Sequence, residues 1–590
     1  MEENAAKAGV LASMSDVFID YYKSILIPKV MDEAEFENMI SVYKTQLPIV
    51  FRVSKKNPNY ENVERELKQH IEVLKSQGIE CSSINCVPSE HGDVYSVLLD
   101  KGTLRRSESL KSFHQWLKLH TALGQCHRQE FVSMIPPNFL MIGKNMSVLD
   151  TCAAPGSKTA QIIEMLEGPE SFVVANDSDI RRCHPLVHQL QRVGTQKVLV
   201  VNYLAQEFGD FAGELFDRVL CDVPCTGDGT IRKNPKVAEK WQPKNGGLLH
   251  ALQRLILKRG LELTKEGGIC VYSTCSMNPT ENEAVINSVL HETGDAVEIL
   301  DVSALYPGLQ RHSGLESWPV YDYDGSKLIE YASPDSVPQE RKQFVPNTVF
   351  PQNPVPGLKN SMRFFPHYQN SGGFYVCVLQ KKKHFDRLTR LPEKEPKPLK
   401  EEPYVPLDIA SPDVLKQIIS VFGFKDDFPS DLLFIRDESK VRFVSILAPP
   451  IARMIRKVGS PSLRTVSCGA RIFSWKPFGK DKIEMPYPTM EGISVVVDYA
   501  TKRVYNFTPE EMLKLFEVYP KAVGYNQLSE ETRKQFIDID QNGAIVCIPN
   551  SPFSYGGMTF QSSVAVYLQK DLIEVEKSKL LSAYPSIKPL

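Results

Sequence analysis

The sequence predicts an α/β protein built around a doubly wound, mainly parallel sheet, and two patterns support that fold class. The first is an alternation of apolar strand-like segments with helical segments, which short connections join into parallel sheets with right-handed crossovers. The strand-like segments are VLD (148–150), SFVVANDSD (171–179), KVLVVNY (197–203), FDRVLCDVPC (216–225) and GICVYSTC (268–275). The second is a turn of small residues between the first strand and its helix.

That first unit is VLDTCAAPGSKTAQIIEMLEG, residues 148–168. Small side chains and Gly156 in the turn allow backbone N–H groups to approach a bound molecule, and the N-terminus of the following helix adds unpaired amides. Ile162, Ile163 and Leu166 lie on one face of this helix. A dinucleotide fingerprint requires three glycines, so a single glycine argues against an NAD-linked dehydrogenase, which is one alternative for this fold class.

Length and composition limit the alternatives further. The chain has 590 residues, enough for about three or four domains of ~150 residues. Its net charge of −2 does not by itself indicate a nucleic-acid partner, so any basic surface must be local. We expect no signal peptide, because the N-terminus lacks the signal-peptide pattern. We also expect no membrane span, because no apolar run is long enough to cross a bilayer. The 12 cysteines include no CxxC pair, which predicts free thiols and no zinc site.

Four regions are expected. They are an N-terminal α/β region (1–127), a central domain (128–380) with an insertion at 301–362, a charged linker (381–403) and a C-terminal α+β domain (404–590). Packing and substrate binding are equally supported as roles for the first region. KGTLRR (101–106) favours a solvated loop over a phosphate contact. The insertion is expected to cover the cleft or to stack on RNA. The lysines that open the linker are expected to be solvated, and a nuclear signal and a phosphate contact are the alternatives.

The central sheet predicts where the functional residues lie, because ligands of such sheets bind at the carboxyl ends of the strands. This rule brings Cys152, Asp177, Asp222, Cys225 and Cys275 to one edge. Asp177 lies about 20 positions after the glycine turn and is placed to accept hydrogen bonds from ribose hydroxyls. Most cysteines are expected to be small buried hydrophobes, but Cys225 and Cys275 follow strands in polar loops, where a functional thiol belongs.

Three details of the central domain are also predicted. The helix at 245–264 is expected to bury one face formed by Leu248, Leu249, Leu252, Leu255 and Ile256. The helix at 279–290 is expected to start at Pro279, with Glu281 and Glu283 interacting with its N-terminal dipole. Arg232 and Lys233 are nearly balanced between phosphate contacts and an ordinary surface pair.

Three segments together resemble the NOP/Sun-type RNA cytosine-5 methyltransferases: DTCAAPGSK (150–158), DVPCTGDGT (222–230) and YSTCSMNPTENEAV (272–285). Three more, SMIPP (133–137), PGLQRHSGLESW (308–318) and FFPHYQNSGGFYV (364–376), look like the eukaryotic multisite-specific tRNA branch of that family. The resemblance covers about 128–380 and implies a Rossmann-like, S-adenosylmethionine-dependent methyltransferase core. It also implies tRNA, and other RNA, as substrate, and a location in the nucleus or nucleolus, with the cytoplasm as the alternative.

The resemblance also implies roles for individual residues. The cofactor would be held by Cys152, Ala153, Ala154, Pro155, Gly156, Ser157, Lys158, Asp177 and Asp222. Cys275 would attack carbon 6 of cytosine, Cys225 would assist product release, and Asp222 and Lys158 would complete the catalytic set. DNA cytosine-5 methyltransferases attack instead with the cysteine that corresponds to Cys225.

One position departs from the family. The family carries an aspartate after the third strand to bond the adenine amino group, and NYLA (202–205) has Leu204 there. Either another group reads adenine or the cofactor is held less tightly. Leu204 also supports the alternative of a catalytically silent RNA-binding protein. In the C-terminal domain, SCGARIFSW (467–475) resembles the glycine turn of PUA-like RNA-binding domains. The sequence specifies neither an oligomeric state nor the target nucleotides.

Overall fold

A computed structural model describes residues 14–27, 29–57, 59–88, 90–99, 101–209, 213, 215–389, 399–436, 440–478, 483–536, 542–568 and 570–587. Among the helices in these ranges, none has the length and apolar character that crossing a bilayer requires. The same residues bring no three His, Cys, Asp or Glu side chains together as a metal site.

The N-terminal region forms two helices that pack on the central domain and a separate four-stranded sheet. Its elements are α1 (Asp16–Leu26), α2 (Glu33–Tyr43), β1 (Ile49–Ser54), α3 (Tyr60–Ser76), β2 (Cys81–Ile84), β3 (Gly92–Val97), α4 (Lys101–Arg106), α5 (Lys111–Ala122) and β4 (Cys126–Arg128). The strand order is β2-β3-β1-β4, with antiparallel pairs throughout. Phe18 and Tyr21 of α1 are buried against Trp241, so α1 belongs to the core of the central domain.

The central domain alternates strands and helices as the sequence predicts. Its elements are α6 (Ile135–Asn138), β5 (Ser147–Asp150), α7 (Ser157–Met165), β6 (Phe172–Asn176), α8 (Ile180–Gln191), β7 (Val198–Val201), β8 (Phe216–Asp222), α9 (Lys236–Lys240), α10 (Pro243–Leu263), β9 (Thr264–Thr274), α11 (Glu283–Thr293), β10 (Val297–Ile299), β11 (His312–Ser313), β12 (Val320–Tyr323), β13 (Leu328–Tyr331), β14 (Met362–Phe364) and β15 (Phe374–Lys381). Strands β5 to β9 are buried along most of their length, as parallel strands covered on both faces must be.

The C-terminal region is α+β and contains two five-stranded sheets. Its elements are β16 (Val405–Pro406), α12 (Leu407–Ala410), α13 (Pro412–Phe422), β17 (Leu433–Ile435), β18 (Phe443–Ile446), α14 (Pro449–Val458), β19 (Thr465–Cys468), β20 (Ala470–Phe478), β21 (Ile483–Pro488), α15 (Ile493–Tyr499), β22 (Val504–Asn506), α16 (Pro509–Val518), β23 (Val523–Gly524), α17 (Glu530–Lys534), β24 (Asn542–Cys547), β25 (Ser554–Thr559), β26 (Ser563–Val566) and α18 (Lys570–Ala583). The sheets are ordered β16-β17-β18-β20-β21 and β22-β24-β25-β26-β23.

The central sheet has the order β11-β14-β15-β9-β8-β5-β6-β7-β19, and β10 also pairs with β15. The five inner strands, β7-β6-β5-β8-β9, are parallel, and the strands at both edges are antiparallel. The predicted doubly wound fold class is therefore confirmed. Strand β15 lies antiparallel to β10, and its other side pairs with β9.

Strand β19 comes from the C-terminal region yet closes the central sheet beside β7. Thr465 pairs with Val201, and Cys468 pairs with Leu199. The C-terminal region is therefore built into the sheet of the central domain rather than appended to it. Removing residues 404–590 would uncover the β7 edge, so a truncation would test the sheet as well as any RNA binding by this region.

Two expectations about helices are wrong. KGTLRR forms the short helix α4 rather than a loop, because Leu104 is buried in the N-terminal core and anchors it. In α10, Leu248 is 54% exposed and Leu255 is 40% exposed. The first half of the packed face of α10 carries small and polar residues, among them Gly247, where an added Cβ would lie 1.7 Å from the Phe344 carbonyl oxygen. Ile256 is buried as predicted, and Leu257, Leu261 and Leu263 are buried further along the helix.

The insertion packs on the core rather than over the cleft. Trp318 is buried, and its indole nitrogen donates to the Val349 carbonyl oxygen over 2.8 Å, so it is not available to stack on a base. The linker lysines are also engaged, although 390–398 lie outside the described residues. Lys381 is buried and donates to two carbonyl oxygens at the end of α10, and Lys382 and Lys383 form ion pairs with Glu298 and Asp295. These contacts favour neither a nuclear signal nor a phosphate site at this run.

A buried ion pair fixes the N-terminal sheet to the central domain. Arg52 of β1 lies 3.0 Å from the Glu164 carboxylate of α7, and His127 of β4 lies 2.9 Å from its other oxygen. Burial alone would raise the pKa of Glu164, but Arg52 and His127 together lower it to about 2. Removing either partner would leave a charge buried without its counterion, which typically costs about 3–5 kcal/mol. This pair holds the N-terminal sheet beside the carboxyl ends of the central strands.

Candidate active site

The turn after β5 has the geometry that the sequence predicts. Gly156 caps α7 with φ of +105°, a conformation that favours glycine, and an added Cβ would lie 2.8 Å from Leu186. No side chain caps α7 at Gly156, so the first amides of the helix face the turn. The turn also approaches the second strand, where the Ala154 N–H donates to the Asp177 carboxylate over 3.2 Å.

A cavity of about 760 Å³ opens at this edge of the sheet. The predicted residues on its wall are Cys152, Ala153, Ala154, Pro155, Ser157, Lys158, Asp222 and Cys275. Gly156, Asp177 and Cys225 are not among the lining residues. Residues 46–50 and parts of α4 and α5 also line the cavity, so the N-terminal region contributes directly to the site.

Lys158 and Asp222 form the central ion pair of the cavity. Their Nζ and Oδ2 atoms lie 2.8 Å apart, and Lys158 also donates to Ser133 Oγ over 2.9 Å. The other Asp222 oxygen accepts from Ser273 Oγ over 2.7 Å, which fixes the carboxylate. Burial lowers the pKa of Lys158, but the Asp222 carboxylate outweighs burial, and a negative charge on Cys275 raises that pKa further. The cavity therefore holds a fixed cation next to a thiol.

The two predicted thiols meet although 50 positions separate them in the sequence. Cys225 Sγ and Cys275 Sγ lie 3.2 Å apart, at the ends of the adjacent parallel strands β8 and β9. The Cys275 thiol beside it, and then burial, raise the pKa of Cys225 well above its ordinary value. Cys225 is therefore a protonated thiol at neutral pH, and Cys275 is the sulfur on the cavity wall.

Glu281 fixes the two cysteine loops relative to each other, a role that the sequence does not reveal. Its carboxylate accepts from the Thr226 N–H over 2.9 Å and from Thr226 Oγ1 over 2.5 Å, directly after Cys225. It also accepts from Ser276 Oγ over 2.6 Å, directly after Cys275. Glu281 lies in a 3-10 turn before α11, and α11 itself begins at Glu283 rather than at Pro279. Glu283 forms a fully buried ion pair with Arg363 instead of interacting with the helix dipole alone.

Asp228 supports the same loops from behind. One carboxylate oxygen accepts from the Met277 N–H over 3.0 Å and from the Gly229 N–H over 3.1 Å. Gly229 in turn donates to the Cys275 carbonyl oxygen over 2.9 Å, and an added Cβ there would lie 2.1 Å from the Gly373 carbonyl oxygen. Burial, and then the charge on Glu281, raise the pKa of Asp228 to about 8. The close approach of Gly229 to the Gly373 carbonyl oxygen requires glycine at position 229.

Arg232 and Lys233 have different roles. Arg232 is 4% exposed and donates five hydrogen bonds, two of them to carbonyl oxygens of Thr45 and Gln46. Burial lowers the pKa of Arg232 to about 10. Arg232 therefore holds the N-terminal region against the cleft by hydrogen bonds, and its donors are not available to bind a phosphate. Lys233 is exposed and lines the cavity.

The predicted ribose ligand Asp177 is 2% exposed, at the end of β6. Its carboxylate accepts from the N–H groups of Ala154 and Asp179 and lies 3.4 Å from the Arg182 guanidinium. Leu204 is 46% exposed, and its apolar side chain cannot accept a hydrogen bond from an adenine amino group. The amide of Asn202, two positions earlier, donates to the Asp177 carbonyl oxygen over 2.8 Å. Asp177 remains a prediction as the ribose ligand.

The residues at the edge of the sheet fit S-adenosylmethionine. Asp150 is 1% exposed and lines the cavity; one oxygen accepts from Thr159 over 2.7 Å, and the other has no partner among the described residues. Burial raises the pKa of Asp150 to about 7. An unpaired buried carboxylate next to the open amides of α7 matches a ligand that carries both an ammonium and a carboxylate group.

Comparison with known proteins finds a family model for the central domain and relatives that match most of the chain. The family model described as 16S rRNA methyltransferase RsmB/F matches residues 138–380. The multisite-specific tRNA:(cytosine-C(5))-methyltransferase of Saccharomyces cerevisiae is 34% identical over 77% of this chain and 72% of its own length. The enzyme of that name from Schizosaccharomyces pombe is 33% identical over 77% of each chain. A methyltransferase homologue structure from Pyrococcus horikoshii is 22% identical, with a TM-score of 0.43, over 63% of this chain and 96% of that one.

A doubly wound sheet with this cavity and two facing thiols defines an S-adenosylmethionine-dependent methyltransferase of the RNA cytosine-5 class. The chain belongs to the multisite-specific tRNA (cytosine-C5)-methyltransferase family.

Proposed function

We propose that this protein methylates carbon 5 of cytosine in tRNA, and in other RNA, through a covalent bond between Cys275 and carbon 6 of the base. The observation that carries the proposal is the pair of thiols 3.2 Å apart beside the Lys158–Asp222 ion pair. S-adenosylmethionine supplies an electrophilic methyl group. Carbon 5 of cytosine is too weak a nucleophile to accept that group, so the protein must activate it first.

Cys275 provides that activation as a thiolate. Its attack forms a carbon–sulfur bond at carbon 6 and moves the electrons of the C5=C6 double bond into the ring, where negative charge develops on N3. The Lys158 ammonium is already present in the cavity to stabilise that charge. The Asp222 carboxylate holds Lys158, and in this proposal it also accepts from the exocyclic amino group of cytosine, as carboxylates do elsewhere.

Cys225 then serves product release. When Cys275 is bonded to the base, Cys225 is the thiol that remains beside it, and it must first release its own proton to solvent. The resulting thiolate takes the proton from carbon 5. The electrons of that C–H bond re-form the C5=C6 double bond, and the carbon–sulfur bond breaks, returning its electron pair to Cys275.

The tRNA substrate rests on the family, because relatives that match most of the chain are named for cytosine-5 methylation of tRNA. These relatives do not support the alternative of a catalytically silent RNA-binding protein. For the nucleus and nucleolus the support is the sequence resemblance alone, and a fluorescent fusion protein confined to the cytoplasm would contradict that location.

The function is tested with purified protein, S-adenosylmethionine and unmodified tRNA transcripts. We expect new 5-methylcytosine at discrete positions when the products are mapped by bisulfite sequencing. The matched control is the same transcript with the mapped cytosine replaced by uridine, which must lose the signal. Tight binding of S-adenosylmethionine and tRNA without any 5-methylcytosine would contradict the proposal and support a silent binding protein.

A further inference from the structure

The charges on the wall of the cavity are divided between its two halves. Residues 46–128 contribute Gln46, Leu47, Pro48, Ile49, Val50, Gly102, Leu104, Arg105, His114, Leu117 and Arg128, with no carboxylate among them. The carboxylates that line the cavity, Glu130, Asp150 and Asp222, all belong to the other half. The N-terminal half is therefore cationic, although the chain as a whole carries a net charge of −2.

These N-terminal cations are not neutralised by the protein. Arg105, Arg128 and the neighbouring Lys118 are exposed, and within the described ranges none of the three forms an ion pair. Burial, and then the charges of Lys118, Arg105 and Arg128, lower the pKa of His114. The four side chains therefore share one region of positive potential, which we name the N-terminal cation cluster.

Two other cations of the cavity differ in this respect, whereas Lys233 is also exposed. Lys158 is paired with Asp222, and Arg232 uses its donors on carbonyl and side-chain oxygens of the protein. Unpaired cations gathered on one wall of a cleft attract a polyanion by direct contact and by release of its counterions. The polyanion must also reach Cys275, because the same cavity contains that thiol.

We propose that Arg105, His114, Lys118 and Arg128 bind the phosphates of the RNA strand that carries the target cytosine. This inference rests on the proposed function and assigns part of the substrate to a surface that neither the family motifs nor the thiols identify. A flipped base stays attached to its backbone, so phosphates next to the target nucleotide must lie within a few bond lengths of the cavity wall. Phosphate contacts fix the register of the strand while the pocket reads the base.

The test is the affinity for an unmodified tRNA transcript, measured by fluorescence anisotropy at several salt concentrations. We expect the triple variant Arg105→Glu, Lys118→Glu, Arg128→Glu to bind at least roughly tenfold more weakly at 0.15 M salt. We also expect the slope of log affinity against log salt to fall by about one for each lost phosphate contact. Calorimetry should show unchanged binding of S-adenosylmethionine, and thermal unfolding should show an unchanged fold.

The matched control is Lys68→Glu. Lys68 lies in the same N-terminal region, on α3, and is 66% exposed, but it is paired with Glu64 and does not line the cavity. This variant should bind tRNA like the wild type. If the triple variant also does so while the wild type methylates tRNA, the inference fails and the proposed function stands. If the wild type binds tRNA through the cluster but never methylates it, the proposed function fails alone.

A second readout is independent of charge reversal. Phosphate bound beside His114 must raise the pKa of that imidazole, because a neighbouring anion favours the protonated ring. In histidine-labelled protein, with the resonance assigned through His114→Gln, we expect an upward shift of its titration when the tRNA transcript is added. No shift at saturating tRNA would overturn the inference. If the triple variant loses binding to a polyglutamate peptide but retains binding to tRNA, the cluster is assigned to an acidic protein partner. That result would also overturn the inference.

Discussion

Replacing Cys275 by alanine is expected to abolish methyl transfer, with a loss on the order of 10⁴ or more in turnover, as removal of a covalent nucleophile produces elsewhere. The physical reason is that no other thiol on the described cavity wall lies at the end of β9 beside Lys158. Cys152 also lines the cavity, but burial raises its pKa well above the ordinary value, so it stays a thiol. Turnover is measured by transfer of a labelled methyl group to tRNA.

The matched control for that variant is Cys81→Ala. Cys81 is a partly buried free thiol in the N-terminal sheet, away from the cavity wall, so its loss should leave turnover near the wild-type value. Calorimetry should show that Cys275→Ala still binds S-adenosylmethionine. A Cys275→Ala protein that retains a tenth or more of wild-type turnover would remove this residue from the role of nucleophile.

The second large effect is expected for Asp222→Asn. The neutral amide would leave the partly buried Lys158 ammonium without its counterion and weaken its position beside the thiols. We expect kcat/KM to fall roughly 10²–10³-fold, the equivalent of about 3–4 kcal/mol at 1.36 kcal/mol per tenfold change. Kinetics with tRNA as the varied substrate provide the measurement.

The pH dependence of this variant distinguishes electrostatics from simple misfolding. Asp222 holds the pKa of Lys158 above its ordinary value against the opposing effect of burial. Without the carboxylate burial dominates, the pKa of Lys158 falls, and activity that needs the ammonium must decline at a lower pH than in the wild type. The control is Asp217→Asn at the start of the same strand, where the carboxylate pairs with Lys265 outside the cavity wall. An unchanged alkaline limb in Asp222→Asn would contradict this role of Asp222.

The sequence predicted the parts of the molecule that depend on local pattern and on one topological rule. Alternating strands and helices define the parallel sheet, and the carboxyl ends of its strands bring Cys225 and Cys275 together. Glu281 could not be recognised in this way, because its importance lies in hydrogen bonds to residues after both cysteines. A glutamate near the start of a helix is equally typical of a favourable dipole interaction.

Long-range pairing explains most of the remaining differences. Strand β19 pairs with β7, so that Thr465 lies opposite Val201 although the two are far apart in the sequence. No local pattern encodes such a partner. Arg105 was expected in a loop, but α4 forms because Leu104 packs into the N-terminal core. Leu248 and Leu255 of α10 show the same limit, because close contacts at Gly247 fix the packed face in the first half of the helix and leave these two leucines exposed.

The division of labour between the two thiols is the central claim, and denaturing electrophoresis tests it most directly. Labelled tRNA and S-adenosylmethionine are incubated with Cys225→Ala, with Cys275→Ala and with the double variant. In Cys225→Ala the attack and the methyl transfer still occur but the sulfur is not expelled, so we predict a protein–RNA adduct that survives denaturation. Neither protein that lacks Cys275 should form one. An adduct in Cys275→Ala and none in Cys225→Ala would contradict the account and assign the attack to Cys225.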